Sequence, residues 1–200
     1  IAVFTQSDEP AGPSVATTTV HHFNLEDPAA VDGAFARLSR FDNGVTTVLS
    51  TSELTPGEVY TLWWVIFNEP ENCTGGACDA DDIFILEDGG IPRDADGNRL
   101  MNMDTLMAAN VSIQHAAGVY SSDGSMHTSA SLGLGDAPGI VMGPGLLDPY
   151  KAEIHLVVRT HGPIQEDAFA DQISTFGGGC DPMDAAPCDD LQFAVFLPAQ

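Results

Sequence analysis

The chain of 200 residues carries 29 Asp+Glu against 6 Lys+Arg, a formal net charge of −23, yet 44% of it is hydrophobic. That apolar content excludes a disordered acidic tail, which lacks the side chains for a core. The charge excludes nucleic acid and anionic lipid as partners, and no apolar run reaches the about 18 residues that cross a membrane as a helix.

The first element is a short apolar strand, Ile1–Gln6, followed by a polar, Pro-containing linker over 7–14. The body over 15–200 is expected to be one β-sandwich domain. A detachable strand is what strand addition to a neighbour's sheet edge requires. Ile1, Val3 and Phe4 are therefore the candidate assembly strand, which gives filaments if repeated head to tail; the alternative is that Ile1–Gln6 pairs with its own sheet. A start at Ile1 rather than Met fits a mature product after signal-peptide removal.

Val15–Leu25 is the next strand. Ala34–Phe41 and Val45–Thr51 flank Asp42-Asn43-Gly44, a hairpin signal. Glu58–Asn68 is apolar on both alternating faces, which predicts a central strand covered on both sides. Trp63 and Trp64 belong to it and read as core. A sugar-stacking platform would need one of them uncovered.

A long Asp-rich excursion runs from Asn72 to Asn110. Asp94-Ala-Asp96-Gly-Asn98 offers oxygen ligands at alternate positions, as calcium requires. Arg99 stands where an EF-hand needs glycine and Thr105 where it needs glutamate, so the expected site is a free-form loop. Its ligands would be Asp79, Asp81, Asp82, Asp94, Asp96 and Asn98. The competing reading is solvated acidic turns. Asn72 and Asn110 begin glycosylation sequons.

Val111–Tyr120 and Ser125–Leu134 predict a second hairpin about Asp123-Gly124, with Val111, Ile113, His115, Ala117 and Val119 on one core face. Ala152–Arg159 is a strand with Ile154, Leu156 and Val158 on one side. Glu153, His155, Val157, Arg159 and His161 share the other. Pro163–Phe176 predicts the one short α-helix, stopped by Gly177-Gly178-Gly179. Leu191–Leu197 closes the chain. The sum is a mainly β fold, a sandwich or jelly roll.

The cysteines form two close pairs, Cys73/Cys78 and Cys180/Cys188. Neither spacing is a CxxC zinc knuckle, so two local disulfides and an oxidising compartment are expected. His127, His155 and His161 are candidate copper or zinc ligands, although no HxH or HExxH pattern is present. No G-x-S-x-G elbow supports nucleophilic catalysis, and no catalytic residue is assigned.

The run Ala152-Glu-Ile-His155-Leu-Val-Val-Arg159-Thr-His161-Gly-Pro163, with Trp63–Asn68 and Cys73…Cys78 upstream, resembles a group of uncharacterised secreted bacterial β-sandwich proteins. These are loosely similar to CHRD-type extracellular β domains. The resemblance implies secretion and a β fold, and transfers no activity.

The leading expectation is a non-enzymatic extracellular or cell-surface structural protein, calcium-stabilised and self-associating. A secreted or periplasmic copper/zinc protein is the alternative. A carbohydrate-binding module on the tryptophans is the third reading.

Overall fold

A computed structural model describes residues 13–25, 28–75, 77–95, 99–180 and 188–199. Ile1, Val3 and Phe4 lie outside the described residues, as do Asp96 and Asn98 of the expected calcium loop.

The strands are β1 (Ser14–His22), β2 (Ala30–Phe41), β3 (Gly44–Thr51), β4 (Glu58–Phe67), β5 (Val111–Ser121), β6 (Met126–Gly133), β7 (Glu153–Pro163) and β8 (Asp189–Phe196). They form one antiparallel sheet in the order β5-β4-β7-β8-β1-β2-β3-β6. The sheet curls nearly shut, bringing its two end strands close. The mainly β class is as expected, with the facing layers supplied by two halves of one sheet. Among the described residues no helix is long and apolar enough to cross a membrane.

The expected second hairpin is corrected. Its turn connects β5 to β6, but β5 pairs with β4 and β6 with β3. Curling of the sheet explains this: the turn joins the two ends of the sheet. Leu54 donates its N–H to Gly124 O at 3.0 Å, tying the turn to the β3–β4 connection instead.

The single core face expected for 111–119 is corrected as well. Leu62 pairs with Ala117, but Trp63 pairs with His115, so Ala116 is the extra residue of a bulge. Such an insertion reverses which side successive residues face. Val111 and Ile113 therefore pack outside the sheet with Trp63, Val65 and Phe67. Ala117 and Val119 pack inside with Leu62 and Tyr60.

Two hydrophobic layers result. The interior of the curled sheet holds Leu38, Leu49, Leu62, Trp64, Ile154 and Leu156. The outer layer covers β4 and β5 with the 72–110 excursion, which is not structureless. It contains α1 (Ala80–Ile83) and α2 (Met103–Ala108), and packs Leu106 and Ala109 onto the sheet.

The helix expected over 163–176 contracts to α3 (Phe169–Gln172). Pro163 instead ends β7. The Gln172 amide reaches back to donate to His161 O and Pro163 O, and accepts from Gln165 N. The Ser174 and Thr175 hydroxyls bond to Ala170 O and Asp171 O, competing with helical continuation.

Arg40 on β2 clamps the sheet end. It is 1% exposed and donates to Ala152 O at 2.9 Å, to Leu197 O at 2.7 Å and to Pro149 O. Burial lowers its pKa to about 10, with Asp148 opposing. Arg40→Met removes five-donor chemistry that binds β2 to two separate segments. It should cost about 3 kcal/mol in urea unfolding, with buried carbonyls left unpaired.

Gln114 is the opposite case. Its amide N and O, and Nε1 of the directly paired Trp64, are buried with no partner among the described residues. Replacing an unsatisfied amide by an apolar group of equal length relieves that desolvation. Gln114→Met should raise stability by about 1 to 2 kcal/mol in the same urea experiment.

Candidate functional site: a cavity under the excursion

The outward side chains of β4, β7 and β8 do not all meet a cover. Between them and the excursion lies a cavity of about 850 Å³. Trp63, Val65, Val157, Phe193 and Val195 make an apolar floor. The excursion supplies the opposite wall from Ala77 to Phe84, with Arg99 and Met101. Phe176 closes one side, edge-on to Trp63 with ring centroids 5.1 Å apart.

Three of the six basic residues gather here. Arg99 bonds Asp189 at 2.7 Å and stacks 4.4 Å from the Phe23 ring centroid. Arg159 bonds Asp190 at 2.8 Å, donates to Phe176 O at 3.0 Å, and lies over the Phe176 ring. Arg93 reaches Asp189 at 3.2 Å from the mouth. The bonds of Arg93 and Arg99 brace β8 against the excursion, and that of Arg159 joins β7 to β8.

His155 stands on the floor, 4% exposed. Its Nε2 is 2.7 Å from Glu153 Oε1, and Phe67 packs on its ring. Glu153 is fully buried, and the same Oε1 accepts from Cys78 N at 3.0 Å. One carboxylate thus orients the histidine and anchors the excursion. The alternation of β7 places Glu153, His155, Arg159 and His161 on its outer face, as the sequence predicts.

The three candidate transition-metal histidines are not brought together. His127 lies exposed on β6, bonded to Ser50 at 2.9 Å, at the far end of the sheet order from β7. His155 and His161 occupy separate positions along β7. His161 sits against the Cys180–Cys188 disulfide. Both its nitrogens are engaged: Trp63 Nε1 donates to Thr61 Oγ1 at 2.6 Å, Thr61 donates to His161 Nε2 at 2.7 Å, and His161 Nδ1 donates to Gly178 O at 2.7 Å. That chain fixes the neutral ring.

Both expected disulfides, Cys73–Cys78 and Cys180–Cys188, are formed. Cys73–Cys78 closes a short loop at the start of the excursion, and Cys180–Cys188 links the two ends of the segment before β8. Asp79 and Asp82 of the excursion serve local structure. Asp79 caps α1, and its Oδ1 accepts from Asp81 N at 3.0 Å. Asp82 is buried; it accepts from Thr74 N, Thr74 Oγ1 and Asp79 N. Asp81 is exposed at the cavity rim, and Asp94 is exposed within the Arg93–Arg99 bridge. Trp63 and Trp64 are 1% and 0% exposed, so neither is an open sugar platform.

No protein-family model, curated protein or solved structure matches this chain.

Burial, partly offset by the bond to Gly178, lowers the His161 pKa from 6.5 to about 4. Below pH 6.5 the unfolded imidazole therefore binds a proton that the folded one refuses. Stability contributed by neutral His161 falls as pH drops from 6.5 to 4, then levels. Urea unfolding at pH 7 and pH 4 should show a loss of about 2 to 3 kcal/mol from this group. His161→Gln should show a shallower pH dependence.

Proposed function

We propose that the chain is a secreted, non-enzymatic protein that holds a small, largely apolar molecule between its sheet and its disulfide-pinned excursion. The observation that carries this is the 850 Å³ cavity with an apolar floor, whose arginines are paired with aspartates of the wall. That volume lies within the roughly 300–1,000 Å³ of small-molecule sites. Two disulfides agree with an oxidising extracellular or periplasmic setting. The resemblance to CHRD-type extracellular domains points to the same setting.

Filament formation by strand addition depends on Ile1, Val3 and Phe4, and calcium stabilisation in part on Asp96 and Asn98. These residues lie outside the described ones, and the functions are compatible with the ligand-binding reading. A calcium-loaded surface subunit could carry the same cavity.

Nile red, a neutral dye whose emission shifts blue in apolar surroundings, tests the cavity. One saturable equivalent should bind. Val157→Phe, which fills the floor, should weaken binding at least about tenfold while the thermal transition persists. A folded wild-type protein that binds no dye saturably would count against the reading.

A further inference from the structure

The cavity floor holds a polar atom waiting for a donor, and this inference rests on the ligand-binding reading above. His155 turns Nε2 toward Glu153 Oε1 at 2.7 Å. A carboxylate only accepts, so the shared proton sits on the imidazole Nε2. In the neutral ring Nδ1 is then a lone-pair acceptor. Nδ1 has no hydrogen-bond partner among the described residues. It is also not among the sealed polar atoms, which are Trp64 Nε1, the Gln114 amide atoms and Glu153 Oε2. The ring is nine-tenths buried and lines the cavity, and its Nδ1 is not sealed off by protein atoms.

The surrounding wall does not answer that acceptor. Trp63 Nε1 is already committed to Thr61. Arg99 and Arg159 donate to Asp189, Asp190 and Phe176 O. Val65 and Val157 have nothing to give. A ligand without a donor would cover Nδ1 and leave it dry, the costly case for a buried polar group.

The wall also argues against an anionic head. Asp79, Asp81, Asp189 and Asp190 line the cavity against Arg93, Arg99 and Arg159. The lining offers an anion no net attraction, and a carboxylate would meet the lone pair of Nδ1 head-on.

We propose that the cavity takes a neutral apolar molecule bearing an alcohol or phenol hydroxyl, and that this hydroxyl donates to His155 Nδ1. Glu153 is the positioning residue: it holds the tautomer and steadies the positive character that the imidazole gains on accepting. Trp63, Val65 and Val157 take the hydrocarbon body.

Two probes of one shape test this, 2-naphthol and 2-methoxynaphthalene. Calorimetry should show naphthol binding about tenfold tighter, because the ether cannot donate. His155→Phe should bind both with equal affinity. In the wild-type protein, the imidazole 15N resonance of His155 Nδ1 should move with naphthol and not with the ether, a readout independent of whether the variant folds. Equal binding of both probes, with an unmoved Nδ1 resonance, would overturn the hydroxyl inference and leave the cavity reading standing. Binding of neither would overturn both.

Discussion

Strand β4 has no polar face, and the molecule is arranged around that fact. Every residue from Val59 to Phe67 is buried. Each large side chain removed from water contributes roughly 1.5–3 kcal/mol, so a bare face would cost about as much as a typical domain's net stability. The far half of the curled sheet meets one face. The excursion and the segment around Phe176 meet the other. Over β7 and β8 this outer cover stands off, and the gap is the cavity.

Two buried charges hold the cover and the sheet in register, each answered by something other than an opposite charge. Arg40 is met by backbone carbonyls. Glu153 is met by the Cys78 N–H and by His155. Cys78 is also half of a disulfide, which limits the freedom of the loop that presents this N–H. The cover is thus tethered at the residue that orients the cavity's histidine. Changes in the excursion reach His155 through one oxygen atom.

Period-two alternation made the strands legible: all eight fall within a few residues of where turn chemistry and apolar runs put them. The disulfides were legible from spacing alone. The bulge at Ala116 was not, because a one-residue insertion leaves the local pattern of Val111–Val119 intact and changes only its partner. The β5–β6 turn misled for a related reason. Asp123-Gly124 is good turn chemistry, but curling of the sheet gave both strands other mates. The helix after Pro163 had the right amphipathic spacing, and the Gln172 amide and two hydroxyls cut it short. Of the site, the outer face of β7 was visible as Glu153, His155, Arg159 and His161 on one side. Their separate roles were not, since these depend on Cys78, Asp190, Thr61 and Gly178, far away in sequence. The spacing of the excursion's carboxylates did not reveal that Asp79 and Asp82 accept from N–H groups of their own loop, because those partners are set by the local fold.

The distribution of charge has a kinetic consequence. Arg40 and Arg159 are buried and Arg99 is bound to aspartates, which leaves Arg37, Arg93 and Lys151 as the exposed basic residues on a chain whose net charge is −23. An anionic amphiphile approaching the mouth climbs that long-range repulsion before any contact is made, and its association rate rises with added salt. A neutral molecule feels no such barrier and arrives at a rate indifferent to ionic strength. On the proposed ligand-binding reading, the surface sorts visitors by charge before the cavity sorts them by shape.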